Sequence, residues 1–322
     1  MKYGFLGPVG TFTQAALLAW RPAASAEHVA CPSVNVALAQ VRSGELDAAM
    51  VPIENSVEGG VSATLDALAA GEPLRVIGEV LVPITFVLAA PEGVEFSEIR
   101  AVGTHPHGWA QVRGWMAANL PDAVYVPTLS TAAAATDLLA AHTDTAPAYD
   151  AAVCAPVAAA GLTVLADDIG DNKTAVTRFV LVARPGWLPT PTGADKTTIV
   201  VYQHTDRSGG LLELLEHFAA RDINMTRLES RPTGAAMGSY CFSIDFEGHV
   251  RDERVGEALM GLHRVAAQVV FLGSYPRADG QAAATTEAAS NARFRQAQDW
   301  LRGLRDEPAE GATSGLRRSG RS

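Results

Sequence analysis

Three adjacent side chains with complementary chemistry stand at the start of an apolar segment near the middle of the chain. Thr177, Arg178 and Phe179 bring together a hydroxyl, a guanidinium and an aromatic ring, and residues 180–183 continue as an apolar strand. An arginine can hold a carboxylate, a threonine can donate a hydrogen bond, and a phenylalanine can pack on a ring. The tripeptide therefore predicts a site for an anionic, ring-shaped ligand, although a solvated Thr-Arg pair entering a strand would have the same sequence.

A glycine-containing turn, GPVGTFT at residues 7–13, joins the first predicted strand to its helix. Gly10 allows the backbone to approach a ligand, and Thr11 or Thr13 can cap the helix. The start of a helix presents N–H groups and a positive dipole end, which suits an anion. An ordinary capped turn would look the same, and the glycines do not match the GxGxxG pattern of dinucleotide sites.

A second polar turn, PIENS at residues 52–56, closes another predicted strand. Asn55 and Ser56 can bind a carboxylate or a hydroxyl as neutral donors. Glu54 could act as an acid, but a carboxylate beside an anionic ligand is more often an orienting partner.

A third polar turn, THPHGWAQ, occupies residues 104–111. Thr104 can cap the helix that follows, and Gln111, about two turns inside that helix, reaches a ligand only if the helix lines a cleft. His105 and His107 are explained more simply by capping or surface exposure, and two histidines do not complete a zinc site. We expect no metal and no cofactor.

The bulk properties limit the class of protein. The 322 residues suffice for two domains, and the net charge of -10 argues against a nucleic-acid-binding protein. Cys31, Cys154 and Cys241 form no close pair, which is typical of reduced thiols. Neither a signal peptide nor a long apolar run is apparent, so we expect a cytoplasmic protein without membrane contact.

The elements that must position these turns follow an alternating order. Short β-like runs and Ala/Leu-rich helical stretches alternate over residues 1–183, which predicts an α/β architecture with largely parallel sheets and a ligand site beyond the strand ends. Residues 184–195 read as a linker because prolines and glycines are frequent there. Residues 196–276 read as a βαββαβ, ferredoxin-like unit. In the tail, residues 277–322, we predict a short amphipathic helix around Phe294–Leu304 and disorder over residues 307–322.

Taken in this order, the turns and the Thr-Arg-Phe tripeptide resemble the motifs of the prephenate dehydratase family. Residues 196–276 resemble that family's ACT regulatory domain, with matches at residues 229–232 (ESRP) and 273–276 (GSYP). The resemblance covers residues 1–276. It implies a two-lobed catalytic domain like the type II periplasmic-binding-protein fold, with the cleft between the lobes. The implied reaction is the decarboxylating dehydration of prephenate to phenylpyruvate in L-phenylalanine biosynthesis.

Carried over by motif, the resemblance implies a set of residues that line the cleft. They are the catalytic Thr177, Arg178 and Phe179, and the substrate-binding Thr11, Asn55, Ser56, Thr104 and Gln111. We expect Thr177 to donate to the leaving hydroxyl while Arg178 and the helix starts at Thr11 and Asn55 hold the carboxylates. Glu54 and His105 are alternative acids.

For the second unit the resemblance implies allosteric phenylalanine binding at an interface between two copies of the unit, in a homodimer or homotetramer. The implied effector site consists of Asp206, Ser208, Gly209, Gly210, Leu211, Glu229 and Ser230. A purely structural dimerisation module is the alternative for this unit.

The chain departs from the family pattern at two places. Members usually have Ser-His-Pro-Gln where this chain has residues 104–107 (THPH), so Thr104 keeps the hydroxyl and His107 replaces a glutamine. They usually have Pro-Gly-Ala-Leu at residues 208–211, which read SGGL here and make a less rigid turn. Two other functions remain open from the sequence: an arogenate dehydratase, whose substrate differs at the keto or amino end, and a non-catalytic solute-binding protein of the same fold.

Overall fold

A computed structural model describes residues 1–57, 59–140, 147–233 and 240–307. All but the first residue of the segment predicted to be disordered, residues 307–322, lies outside the described residues. The described part of the chain forms three β-sheets with helices packed on them.

The strands, in chain order, are β1 (Lys2–Leu6), β2 (Glu27–Cys31), β3 (Ala48–Asn55), β4 (Gly59–Gly60), β5 (Arg75–Pro83), β6 (Val87–Ala90), β7 (Ala101–Thr104), β8 (Val124–Pro127), β9 (Ala151–Cys154), β10 (Thr163–Ala166), β11 (Val176–Ala183), β12 (Asp195–Tyr202), β13 (Met225–Pro232), β14 (Tyr240–Glu247) and β15 (Gln268–Pro276). The α-helices are α1 (Phe12–Ala19), α2 (Val34–Ser43), α3 (Ser62–Ala69), α4 (Pro106–Ala110), α5 (Arg113–Asn119), α6 (Thr131–Leu139), α7 (Gly210–Ala219), α8 (Glu253–Val265) and α9 (Asn291–Arg305).

The first lobe is built on the sheet β2-β1-β3-β11-β5, with β4 paired to β3. β1 runs parallel to β2 and β3, whereas β11 runs antiparallel to both β3 and β5. The expectation of largely parallel sheets is therefore only half right. β11 is the strand on which the chain returns from the second lobe, and it enters the sheet in the opposite direction.

The second lobe is built on the sheet β10-β6-β9-β7-β8, in which β7 is parallel to its two neighbours and β6 antiparallel to β9. The chain passes between the lobes twice, through residues 84–86 and residues 167–175. Two crossings between two mixed sheets give the predicted two-lobed architecture, in which a cleft lies between the sheets.

The C-terminal sheet has the strand order β13-β14-β12-β15, and all its pairs are antiparallel. With α7 and α8 packed on one face, this is the predicted βαββαβ, ferredoxin-like topology. The other face contacts the first lobe: Val200, Leu272 and Tyr275 belong to the same apolar cluster as Val76 and Val180. The C-terminal sheet and the first lobe therefore share one core.

The predicted tail helix is present as α9, capped by Ser290, whose hydroxyl accepts from the Arg293 N–H. It lies against α8, where Arg295 pairs with Glu253 at 3.0 Å. Its apolar side chains remain largely in solvent, with Trp300 66 % exposed. No helix within the described residues is long and apolar enough to cross a membrane.

The sequence did not reveal β2, β4 and β10. β4 has two residues, and β2 and β10 are short edge strands with few buried side chains. The single helix expected to follow Thr104 and to contain Gln111 is in fact two helices, α4 and α5, separated at Gln111 and Val112. Asp171 causes this interruption in part, because its carboxylate accepts from the N–H groups of Gly114 and Trp115 and so caps α5 from another segment.

We predict that Gly273→Ala weakens the joint between the C-terminal sheet and the first lobe. Gly273 has φ +143°, and a Cβ there would collide with the carbonyl oxygen of Val76, a backbone atom that cannot rotate away. Chemical denaturation should show a loss of roughly 2 kcal/mol in unfolding free energy. Gly303→Ala, in α9 with no atom near its Cβ position, is the control, and a loss at Gly273 no larger than at Gly303 would contradict the prediction.

Candidate functional site

A cavity of about 330 Å³ lies between the two lobes. The first lobe contributes Thr11, Asn55, Thr177 and Phe179 to its walls, together with apolar groups such as Pro52. The second lobe and its connection contribute polar and apolar groups in similar number: Ile84, Phe86, His105, His107, Gly108, Gln111, Leu129, Ser130 and Thr131. Scattered turns therefore converge on one cleft, as expected for a site built at strand ends.

Asn55 and Thr177 form the polar centre of the first-lobe wall. Their strands pair them directly in register, and Asn55 Nδ2 donates to Thr177 Oγ1 at 2.8 Å. The other end of the amide, Asn55 Oδ1, accepts from the backbone N–H of Val57 at 2.7 Å. Thr177 is only 6 % exposed, so this hydrogen bond lies in a largely dry environment.

Arg178 does not lie in the cavity wall, contrary to the expectation that it lines the cleft and holds a substrate carboxylate. Successive side chains on a strand point to opposite faces, so Thr177 and Phe179 face the cleft and Arg178 faces away. Its guanidinium bonds Glu79 at 2.6 Å, Asp245 at 2.5 Å and Tyr275 at 2.7 Å. All three nitrogens are occupied by buried partners.

Glu54 follows the same rule on β3. Asn55 faces Thr177, while Glu54 pairs with Arg178 in register and lies 3.4 Å from its guanidinium. Glu54 is absent from the cavity wall. The idea that it supplies an acid to the cavity is therefore not supported by its position.

Thr104 and Ser56 also lie outside the cavity wall, contrary to expectation. Thr104 is fully buried and its hydroxyl donates to the carbonyl oxygen of Val153 at 2.7 Å. Ser56 is exposed, and its Oγ accepts from the N–H of Val176 at 3.0 Å. Both hydroxyls hold neighbouring strands together.

Three helix starts point their first residues at the cavity. The first is α1, where the Thr11 hydroxyl caps Gln14 N and donates to Leu6 O at 2.9 Å, so the hydroxyl is already engaged. Phe12 and Thr13 at this helix start line the cavity. Gly10 just before it has φ +91°, and a Cβ there would lie 2.9 Å from Ala158 of the second lobe, so only glycine fits.

The second lobe supplies the other two helix starts. At α4 the cap is His105, not Thr104 as expected, and its Nδ1 accepts from the His107 N–H at 3.2 Å. At α6 the Ser130 hydroxyl accepts from the N–H of Ala133 at 2.9 Å. Ser130 and Thr131 were not among the predicted site residues, although a Ser-Thr pair opening an Ala-rich run after a strand is a recognisable helix start.

Gln111 lies in the cavity wall, as expected, but for a different reason. It ends α4, and its carbonyl oxygen accepts from the N–H of Asp171 at 2.7 Å. Its side-chain amide donates to His107 O at 3.3 Å. The short length of α4 therefore brings the amide to the cleft.

The charge of the wall differs from the expectation based on Arg178. Among the described wall residues there is no Asp, Glu, Lys or Arg, and His105 and His107 are the titratable side chains. Hydroxyls, amides and helix starts can still bind anions, because N–H groups at a helix start carry partial positive charge. In the described residues no group of three His, Cys, Asp or Glu side chains could hold a metal ion.

The residues implied in effector binding fall on two parts of the C-terminal unit. Gly210, at the start of α7, lines a smaller cavity of about 210 Å³ together with residues that include Gln203, Arg207 and Val265. Asp206, Ser208 and Gly209 are exposed in the turn before α7, and Leu211 is half-buried behind it. Glu229 and Ser230 lie on the edge strand β13.

Comparisons with known proteins found similar sequences and similar structures. The sequence model of the family described as prephenate dehydratase matches residues 3–186. A prephenate dehydratase of Amycolatopsis methanolica is 49% identical over 303 residues, which cover 93% of this chain and 96% of that protein. A crystal structure of prephenate dehydratase in complex with L-Phe from Arthrobacter aurescens is 57% identical, with a TM-score of 0.88 over 94% of this chain and 99% of that one.

A third similar structure is described as GqqA, a quorum quenching acylase, with 29% identity and a TM-score of 0.76 over 86% of this chain and 98% of that one. One fold can therefore carry different described activities, and the activity must be argued from the site. The family itself follows from the sequence model and from the high identity over nearly the whole length. The chain belongs to the prephenate dehydratase family.

Proposed function

We propose that the cleft between the lobes converts prephenate to phenylpyruvate, with loss of carbon dioxide and water, in L-phenylalanine biosynthesis. The observation that carries this function is the Asn55–Thr177 pair in a wall that otherwise offers apolar surface and neutral donors. Prephenate needs both features, since it has an apolar ring, a ring hydroxyl and two carboxylates.

The hydrogen bonds around Thr177 determine where its proton points. The Val57 N–H can only donate, so Asn55 presents Oδ1 to it and Nδ2 to Thr177. Thr177 Oγ1 is therefore an acceptor in that bond, and its own proton remains for another partner. Within the described residues no group accepts this proton, which leaves it for a ligand in the cavity.

In the reaction, the electron pair of the bond to the ring carboxylate moves into the ring as carbon dioxide leaves, and the ring hydroxyl is expelled as the ring becomes aromatic. The departing oxygen gains negative charge, which a donated hydrogen bond from Thr177 stabilises. A threonine is a weak acid, so the proton that completes the water molecule comes finally from solvent. The hydroxyl of Thr177 lowers the barrier by its position.

The two carboxylates require donors in place of Arg178. The starts of α1 and α6 and the Gln111 amide supply N–H groups from both lobes. Phe179 and Phe86 provide apolar surface for the ring. Binding across both lobes would orient the ring hydroxyl towards Thr177.

The domain roles belong to the same proposal. Residues 1–183 form the catalytic unit, residues 184–195 the linker, residues 196–276 an ACT regulatory unit, and residues 277–322 a tail. L-Phenylalanine is the proposed effector, which is supported by the relative whose structure was determined in complex with L-Phe. The proposed effector site is formed by residues 206–211 and 229–230 where two copies of the unit meet in a homodimer or homotetramer.

We predict that Thr177→Val lowers kcat by about a hundredfold or more, because the cavity keeps its shape but loses the donor. Thr177→Ser keeps the hydroxyl and should retain turnover within about tenfold of the native protein. The assay follows the absorbance of phenylpyruvate formed from prephenate, with arogenate as the parallel substrate. Native turnover by Thr177→Val would remove Thr177 from this role, and a higher kcat/KM for arogenate would favour arogenate dehydratase.

A second prediction concerns the direction of the hydrogen bond at Asn55. Asn55→Asp replaces the donor by an acceptor, so the Thr177 proton turns towards the new carboxylate and away from the substrate. Its kcat should fall about tenfold below that of Asn55→Ala, which leaves this proton available. Ser56→Asp places the same charge on the next residue without reversing the bond and controls for repulsion of the substrate. Equal kcat values for Asn55→Asp and Asn55→Ala would contradict the argument.

A third prediction concerns the effector. Phenylalanine should inhibit the native protein, and Gly210→Ala should weaken this inhibition about tenfold without changing turnover, because its Cβ would lie 2.7 Å from the Gln203 side chain at the smaller cavity. Inhibition titrations and light scattering measure both parts. Unchanged activity at millimolar phenylalanine would favour a structural module, and a monomer would contradict the interface.

A further inference from the structure

Arg178 joins the cleft strand β11 to the C-terminal sheet. Its side chain is 5 % exposed, and its Nη1 lies 2.5 Å from Asp245 Oδ2 on β14. Its Nη2 donates to Tyr275 Oη at 2.7 Å, and that hydroxyl lies 2.6 Å from Thr198 Oγ1 on β12. One side chain of the first lobe therefore bonds groups linked to three strands of the C-terminal sheet.

Asp245 is the anion at the centre of this joint, the contact between Arg178 and the C-terminal sheet. It is fully buried, and it also accepts from Arg227 Nε at 2.9 Å and Arg227 Nη2 at 3.0 Å. Burial alone would raise the pKa of Asp245, but the charges of Arg227 and Arg178 outweigh burial and hold that pKa far below its usual range. Asp245 is therefore a carboxylate shared between an arginine of the first lobe and an arginine of β13.

A second contact of the C-terminal sheet lies near Asn55, which donates a hydrogen bond to Thr177. Arg227 Nη1 bonds Glu229 Oε2 at 3.2 Å, and the Glu229 carboxylate lies so close to Gly60 that a Cβ there would collide with it. Gly60 pairs with Glu54 in the hairpin β3–β4, which also carries Asn55. The C-terminal sheet thus contacts the Arg178 side chain, next to Thr177 on β11, and Gly60 on β4, which pairs with the strand that carries Asn55.

We propose that Arg178 is a positioning residue whose contacts with Asp245 and Tyr275 make the placement of the Thr177 hydroxyl depend on the state of the C-terminal sheet. The inference rests on the proposed role of Thr177. Arg178 is the next residue on the same strand, so a shift of its guanidinium moves the backbone that carries Thr177. A displacement of about 1 Å at a reacting group can cost about a hundredfold in rate.

The charged groups of this joint are not needed merely to hold the C-terminal sheet against the first lobe. The shared apolar core already holds the C-terminal sheet to the first lobe, and burying charged groups carries a large desolvation cost that apolar packing avoids. A buried hydrogen-bonded network with fixed partners has few alternative arrangements. A shift of a C-terminal strand would therefore displace the Arg178 side chain, whereas apolar side chains could slide past one another. The network lies directly behind Thr177, so such a displacement would reach the strand that carries the Thr177 hydroxyl.

The test uses Tyr275→Phe and Arg178→Lys in the full chain. Tyr275→Phe keeps the ring in place and removes one hydroxyl, so it remains folded even if Arg178→Lys does not. Both should lower kcat about tenfold with KM within about twofold, and phenylalanine should still bind by calorimetry while inhibiting less. Asp66→Asn is the matched control, since its exposed pair with Arg231 at 2.9 Å also joins the C-terminal sheet to the first lobe, but through α3.

Native kcat and native inhibition in both variants would overturn the inference, and so would an equal loss in Asp66→Asn, which would show general loosening of the joint. Thr177→Val, measured in the same series, separates this inference from the proposed function. If Thr177→Val keeps native turnover, the role of Thr177 fails and the inference fails with it. If Thr177→Val is inactive while Tyr275→Phe and Arg178→Lys behave as native, only the inference fails.

Discussion

The alternation of side chains along β11 is the constraint on which the cleft depends. β11 is paired on both sides, with β3 and β5, so its register is fixed and its residues cannot slip to the other face. Thr177 and Phe179 are therefore presented to the cavity, and Arg178 is presented to the C-terminal sheet. The same register brings Asn55 opposite Thr177 and Glu54 opposite Arg178. β11 therefore presents neutral side chains to the cleft and the charged Arg178 to the C-terminal sheet.

This separation suits a reaction in which the charge of the ring carboxylate moves through the ring to the departing oxygen as neutral carbon dioxide leaves. A fixed cation beside the ring carboxylate would stabilise the reactant more than a transition state in which that charge is dispersing, whereas N–H dipoles and hydroxyls bind more gently. The wall of the cavity offers such dipoles from both lobes, with apolar side chains between them. In the proposed mechanism the Thr177 hydroxyl donates to the departing oxygen, where charge develops and a donor contributes most.

Much of the fold was predictable because hydrophobic periodicity and turn residues are local signals. The alternation of strands and helices in the lobes, the βαββαβ order of the C-terminal unit and the tail helix were all predicted from such signals. Thr11, Asn55, Gln111, Thr177 and Phe179 were expected at the cleft and lie in its wall. Thr104 and Ser56 were misplaced because their hydroxyls bond strands that are distant in sequence, which no local pattern reveals. Arg178 was expected at the cleft, although the period of two along a strand was enough to predict that its side chain lies on the other face of the strand from Thr177.

The shared core between the C-terminal sheet and the first lobe has a mechanical consequence. Val200, Leu272 and Tyr275 are interleaved with first-lobe side chains, and the described contacts of the C-terminal unit with the lobes fall on the first lobe. The second lobe is attached to this shared core by two chain crossings, residues 84–86 and residues 167–175. Because both lobes line the cavity, these two crossings determine how far His105, Gln111 and Ser130 of the second lobe lie from Thr177 of the first.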